Sequence, residues 1–315
     1  MRLSSLSSSP PAHSCSGNTR CTSWLRVAPR PMAPFQRRAI HGTGRAYPVA
    51  PARDQAPQLR PACAPPRSAP TRVGRSVPPA SLSGVVGFKP TYGVVSCAGI
   101  EPLAWSMDHC GPLTRSVADS AIVLDAIAER GHARHVSDRY HQATAAASDL
   151  RGVRVGAPMT FVDGGSLETE VLTTYGHAIA AMQDLGAQVT EIDFPTREEV
   201  VAVGRTILVA EAFAHHETDA KKRGDLFGRR LYRMLLEGAL VPASDYLTTQ
   251  RLRSRMCAAI QTTMRTVDLL VLPTSLESAG SFATGTDVRA TTLGLGRAAF
   301  TFPFNLTGQP AISIP

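Results

Sequence analysis

From residue 84 onward, short apolar runs alternate with long helical patterns, and Gly or Pro punctuates most of the junctions. This rhythm limits the fold more than any other feature, because strands separated by helices build a mixed or parallel sheet whose two faces the helices cover. Residues 85–90 form an apolar run that Lys89-Pro90-Thr91-Tyr92-Gly93 closes with turn residues, a strand entering a loop. Thr114-Arg115-Ser116-Val117-Ala118-Asp119 opens a helix with Thr114 or Ser116 as N-cap, and Gly131 ends it. A strand at 153–157, an amphipathic helix at 168–185 closed by Gly186 and a strand at 188–194 bounded by Pro195 make a β-α-β unit. Helical patterns then fill 197–217, 225–238 and 243–266, before an apolar strand at 269–272 stops at Pro273.

The first 80 residues do not share the rhythm. They hold 12 Arg, no Lys and one acid, Asp54, a charge of +11, whereas residues 81–315 stand at −3, so the net +8 of the chain belongs to its head. The head also carries 14 of the 24 Pro and shows no apolar period of 3.6 or 2. Residues 1–78 therefore read as a disordered Arg/Pro-rich head and 79–315 as the folded part. Nucleic-acid binding would need stacking platforms, and Trp24, Phe35 and Tyr47 are too scattered to provide them. The many prolines and the lack of an amphipathic helix argue against a transit peptide. No apolar run approaches the roughly 20 residues that cross a bilayer. The expectation is a soluble, cytoplasmic protein with neither nucleic acid nor membrane as partner.

Cys97, Cys110 and Cys257 show no metal-type spacing and read as small buried thiols, with neither disulfide nor zinc expected. His215 and Glu211 sit at i, i+4 beside His216, but the sequence brings no third ligand into view. The group reads as a helix-surface cluster, and no metal or cofactor is expected.

Gly84-Val85-Val86-Gly87-Phe88-Lys89-Pro90-Thr91-Tyr92-Gly93-Val94-Val95-Ser96, followed by Ser106-Met107-Asp108-His109-Cys110-Gly111-Pro112-Leu113-Thr114-Arg115-Ser116-Val117-Ala118-Asp119, resembles the amidase signature family. Ala210-Glu211-Ala212, the stretch from Asp268 to Thr274 and the stretch from Phe302 to Ala311 follow in that family's order. The resemblance implies a large α/β fold, a mixed sheet flanked by helices on both faces, of which this chain would hold an incomplete part. It implies cleavage or transfer at a carboxamide C–N bond by a Ser–cis-Ser–Lys triad, with a small-molecule amide as substrate. As protein partners it implies a second copy of the chain or amidotransferase-type subunits.

In such a triad a lysine kept neutral by burial takes a proton from the nucleophilic serine through a bridging serine, and backbone N–H groups of a Gly-rich turn hold the oxyanion. In the family these parts precede the segment equivalent to Gly84–Gly93. Here the first lysine is Lys89, which the resemblance places in a turn, and the others are Lys221 and Lys222. At the nucleophile's place stands Arg72-Val73-Gly74-Arg75-Ser76-Val77-Pro78, so Ser76 is only a positional stand-in for the nucleophile. Read one base late, however, residues 68–77 accommodate Gly-Thr-Asp-Thr-Gly-Gly-Ser-Val-Arg, and residues 47–54 accommodate Pro-Gly-Gly-Ser-Ser-Ser-Gly. Both are loops of the family, in order and in one frame, which leads us to expect a frameshifted head that rejoins the true frame near residues 77–79. The resemblance also leads us to expect truncation at both functional ends, and with it an inactive chain of weak stability.

Overall fold

The computed structural model describes residues 67–71, 77–129, 135–147, 149–163, 167–278 and 298–315. In chain order the elements are β1 (Arg67–Thr71), α1 (Val77–Leu82), β2 (Val86–Lys89), β3 (His109–Thr114), α2 (Val117–Ile127) and α3 (Val136–Ala146). Then come β4 (Arg154–Ala157), α4 (Met159–Asp163), α5 (Thr169–Asp184), β5 (Gln188–Glu191) and the long α6 (Arg197–Lys222). A 3-10 turn leads to α7 (Arg229–Ala239), α8 (Ala243–Thr263), β6 (Leu269–Leu270), α9 (Phe302–Thr307) and β7 (Ala311–Ser313).

The expected mixed α/β class is present, and the described strands fall into two sheets. One is antiparallel, in the order β1-β3-β2-β7; the other is parallel, in the order β5-β4-β6. The parallel sheet is the β-α-β unit legible from periodicity, extended by β6. Asp268, just ahead of β6, accepts the backbone N–H of Arg154 at 2.8 Å and pairs with its guanidinium at 2.7 Å. These contacts dock β6 on β4 in register and hold the Asp268 carboxyl down at about 2.

The antiparallel sheet was less legible. β3 carries Gly111-Pro112 in its middle, residues that ordinarily argue against a strand. Gly111 is needed there because a Cβ would lie 2.1 Å from the Phe88 carbonyl oxygen of β2. The helix expected to open at Thr114 begins at Val117, because Thr114 still belongs to β3. Of the two N-cap candidates it is Ser116 whose hydroxyl accepts the Asp119 N–H, while Thr114 Oγ1 donates to the Ser116 carbonyl and accepts from Ser120 Oγ. Of the segment read as head, 67–71 and 77–78 are among the described residues: β1 pairs with β3 over its whole length, and Val77 and Pro78 are buried in α1.

The main core forms around α6. Thr196 and Glu199 make a capping box at its start, and Arg197 donates to the Phe161 and Val162 carbonyls that end α4. Ile207, Leu208, Leu235, Ile260, Phe300, Phe302 and Leu306 pack α6 against α7, α8 and α9 with almost no residual exposure. Burying side chains of that size contributes about 1.5–3 kcal/mol each, so this four-helix contact anchors the fold.

Candidate functional site

Two groups of buried polar side chains lie beside the sheets. The first holds the loop between β2 and β3. Asp108 Oδ2 accepts the N–H groups of Leu103 and Ala104 at 2.7 and 3.0 Å and folds residues 103–108 into a tight turn. Glu211 of α6, only 1% exposed, accepts the Ser106 N–H through Oε2 and the Tyr246 hydroxyl through Oε1, each at 3.0 Å. Arg253 of α8 donates to Ser106 Oγ at 2.8 Å, to the Ser106 carbonyl at 2.9 Å and to the Leu306 carbonyl of α9 at 2.9 Å. Ser106 is thus clamped between an acid on α6 and a base on α8, and the same guanidinium ties in α9. The motif residues Asp108 and Glu211 act here on backbone amides, as positioning groups.

The second group lines a cavity of about 380 Å³ between the two sheets. β2 and β7 contribute Phe88, Lys89, Ala311 and Ile312; β6 contributes Leu269 and Leu270; α9 contributes Phe304 and Asn305; and the first turn of α1 contributes Val77 and Pro78. Thr274 Oγ1, in the loop after β6, lies 3.1 Å from Ser313 Oγ of β7. Most of the lining is apolar, with a few polar groups converging on it, the usual constitution of a small-molecule pocket.

Lys89 is the last residue of β2 and 4% exposed. Its ammonium donates to the Pro90 carbonyl at 3.2 Å, and no carboxylate lies within ion-pair distance among the described residues. Burial alone therefore pushes the amine down from 10.5 to about 7, so that near neutrality a substantial share is uncharged and able to accept a proton. His109 is buried nearby, and its Nδ1–H donates to the Met107 carbonyl at 2.7 Å. Burial, with the Lys89 charge adding to it, pushes the imidazole to about 3, so the ring is neutral. Asn305 is 3% exposed, and its Nδ2 has no hydrogen-bond partner among the described residues. A buried N–H of this kind costs about 1–3 kcal/mol if nothing satisfies it, and Asn305 is among the residues that line the cavity.

Ser76, the stand-in nucleophile, lies outside the described residues; the chain is described again from Val77, the next residue, which lines the cavity. Lys89 was expected in a turn and instead closes a strand, the turn following at 92–93, because Pro90 can end a ladder without entering it. Asn305 was legible only as part of a motif, since nothing in a sequence announces an unpartnered amide. Among the thiols, Cys110 is buried and Cys97 and Cys257 are half-buried, and burial raises Cys97 to about 11, which makes it a poor nucleophile. None of the described helices is long and apolar enough to cross a membrane.

The fold and these sites define an α/β protein with a mostly apolar, lysine- and asparagine-bearing cavity between two sheets. Residues 72–315 match the family model described as Amidase, and the chain belongs to that family of amidase-signature hydrolases. It is 33% identical over 246 residues to an amidase of Pseudomonas putida, covering 75% of this chain and 52% of that protein. It is 35% identical over 269 residues to a glutamyl-tRNA(Gln) amidotransferase subunit of Gloeobacter violaceus, covering 75% of this chain and 53% of that one. A crystal structure of an amidase superposes with a TM-score of 0.65 at 29% identity, covering 78% of this chain and 54% of its own. The chain spans about half the length of the curated relatives it matches.

Proposed function

We propose that this chain descends from a hydrolase of carboxamide C–N bonds and that, as its 315 residues are spelled, hydrolysis is impaired or lost. The observation that carries the first half is the family match over 72–315 together with a mostly apolar cavity that Asn305 and the desolvated Lys89 both line. Support for the second half comes from the sequence. Lys89 is the first lysine, and Ser76 follows Val73-Gly74-Arg75, where the family has a glycine pair before its serine. Without close backbone donors the tetrahedral oxyanion loses stabilisation typically worth about 3–4 kcal/mol per donor. The out-of-frame head is part of the same proposal.

Ammonia release from simple amides by the purified chain tests this reading, beside a Ser76→Ala variant. The expected result is turnover no greater than that of the variant; robust release by material whose mass equals that of the 315 residues overturns the impairment. Nucleotide sequence across codons 30–85 tests the origin of the head, and an unbroken frame without an insertion or deletion near codons 77–79 overturns it. A second reading, a non-catalytic chain that binds an amide or partner subunits, is favoured by the curated relatives that are amidotransferase subunits. Benzamide binding without turnover, or co-assembly with a partner chain, supports it; a monomer that binds no amide overturns it.

A further inference from the structure

The fold brings a third donor to the histidine pair on α6. Glu101, from the loop between β2 and β3, places Oε1 2.9 Å from His215 Nε2 and 3.6 Å from His216 Nδ1. The three donor atoms all lie within 4.8 Å of one another. Glu211, the acid that sequence spacing pairs with His215, is instead turned inward to Ser106 and Tyr246. The group is also not the surface cluster that the sequence suggests, because His216 is 3% exposed while His215 and Glu101 face solvent in part.

We propose that Glu101, His215 and His216 form a binding site for a divalent first-row transition ion, with zinc as the ion best matched to two imidazoles and a carboxylate. Three observations support it. Zinc held at about 2.0–2.2 Å by nitrogen and oxygen in a tetrahedral shell needs its donors about 3.3 Å apart; the two separations from Glu101 Oε1 bracket that spacing, and the two ring nitrogens lie within 4.8 Å of each other. Neighbouring helix residues diverge by about 100°, yet here one ring offers Nε2 and the other Nδ1, so that two rings standing at 88° to each other converge on one carboxylate. The buried ring is also preset: His216 Nε2 lies 3.0 Å from the Pro102 carbonyl, which can only accept, so Nε2 carries a proton, and Nδ1, once free of its own proton, turns a lone pair toward Glu101. Metal-binding histidines are oriented by that kind of backbone contact. Residue 101 thus supplies a ligand and residue 102 the group that aims another.

A bound ion would tie the loop between β2 and β3 to α6 at a second point, beside the Ser106 clamp. Three protein donors leave one position for water on the exposed side. The site does not depend on the amidase reading, and its test contains no turnover.

Titration of the untagged full-length chain with zinc chloride by calorimetry, and with cobalt chloride by visible absorption, tests the proposal. One zinc per chain is expected, with Co²⁺ giving the intense visible bands of a four-coordinate site. Glu101→Gln and His215→Ala, both on the partly exposed side, are each expected to weaken zinc at least about 10-fold, while His177→Ala on α5 leaves affinity unchanged. Absence of saturable zinc binding at 100 µM metal, or unaltered affinity in both the Glu101 and His215 variants, overturns it.

Discussion

Glu211 and Lys89 are buried to almost the same degree, 1% and 4% exposed, but their surroundings differ. Glu211 receives two hydrogen bonds, and Arg253 answers it from the other side of Ser106. Lys89 has one carbonyl partner and no described carboxylate, and Asn305 in the same cavity leaves an N–H unpaired. A polar group that folding fully satisfies serves the fold, whereas one that folding leaves in want of a partner costs stability and stays available to something else. By that criterion the Ser106 clamp is architecture and the cavity between the sheets is the place to look for chemistry.

The largest effect that sharpens this contrast is expected from Glu211→Ala. The change strands the Ser106 N–H and the Tyr246 hydroxyl, two buried donors that each lose a carboxylate acceptor, a loss of about 2–5 kcal/mol in urea unfolding. A cost below about 1 kcal/mol would erase the distinction between the two regions.

Next comes Lys89→Met, through the pH dependence of stability. In the unfolded chain the amine titrates near 10.5 and in the folded chain near 7, so between those values the unfolded state binds the extra proton and stability rises with pH. Below about 7 the ammonium is charged in both states and its burial penalty, several kcal/mol, is fully present. The variant should lose that upward slope and gain stability at pH 6. Parallel stability curves for the two proteins would show that Lys89 is not desolvated.

Gly111→Ala should cost about 1–3 kcal/mol, because its Cβ would have to push β3 away from the Phe88 carbonyl. A thermal shift below about 1 °C would mean that the β2–β3 contact yields. The smallest effect on stability is expected from Asn305→Leu, which removes an unpartnered buried amide at similar volume and should fall within about 1 kcal/mol of the parent. The same variant should lose binding of benzamide measured by calorimetry, and retention of binding would take Asn305 out of the site.

Along the chain, the elements with a strong local period were readable. The β4-α5-β5 unit and the helices α6 to α8 fall within a few residues of their expected bounds, since an amphipathic repeat records which side of an element will be buried. β3 and α9 were hidden, the first by the Gly-Pro that its close packing against β2 requires, the second by Pro303 inside a single short turn. Motif order identified the family, but the role of each motif residue was not in the motif. Asp108 and Glu211 hold backbone, and Lys89, assigned to a turn, closes a strand at the cavity.

Local sequence by itself determined where strands and helices alternate, that the charge is concentrated in the head, and which family the body resembles. These properties follow from neighbours within a few residues and from composition. The tertiary structure alone decided that the described strands divide into two sheets with a cavity between them, that Lys89 is stripped of water, and that Glu101 meets two histidines more than a hundred positions away. Each of these depends on contacts between distant segments, and desolvation and ligand geometry exist only once such segments are packed together.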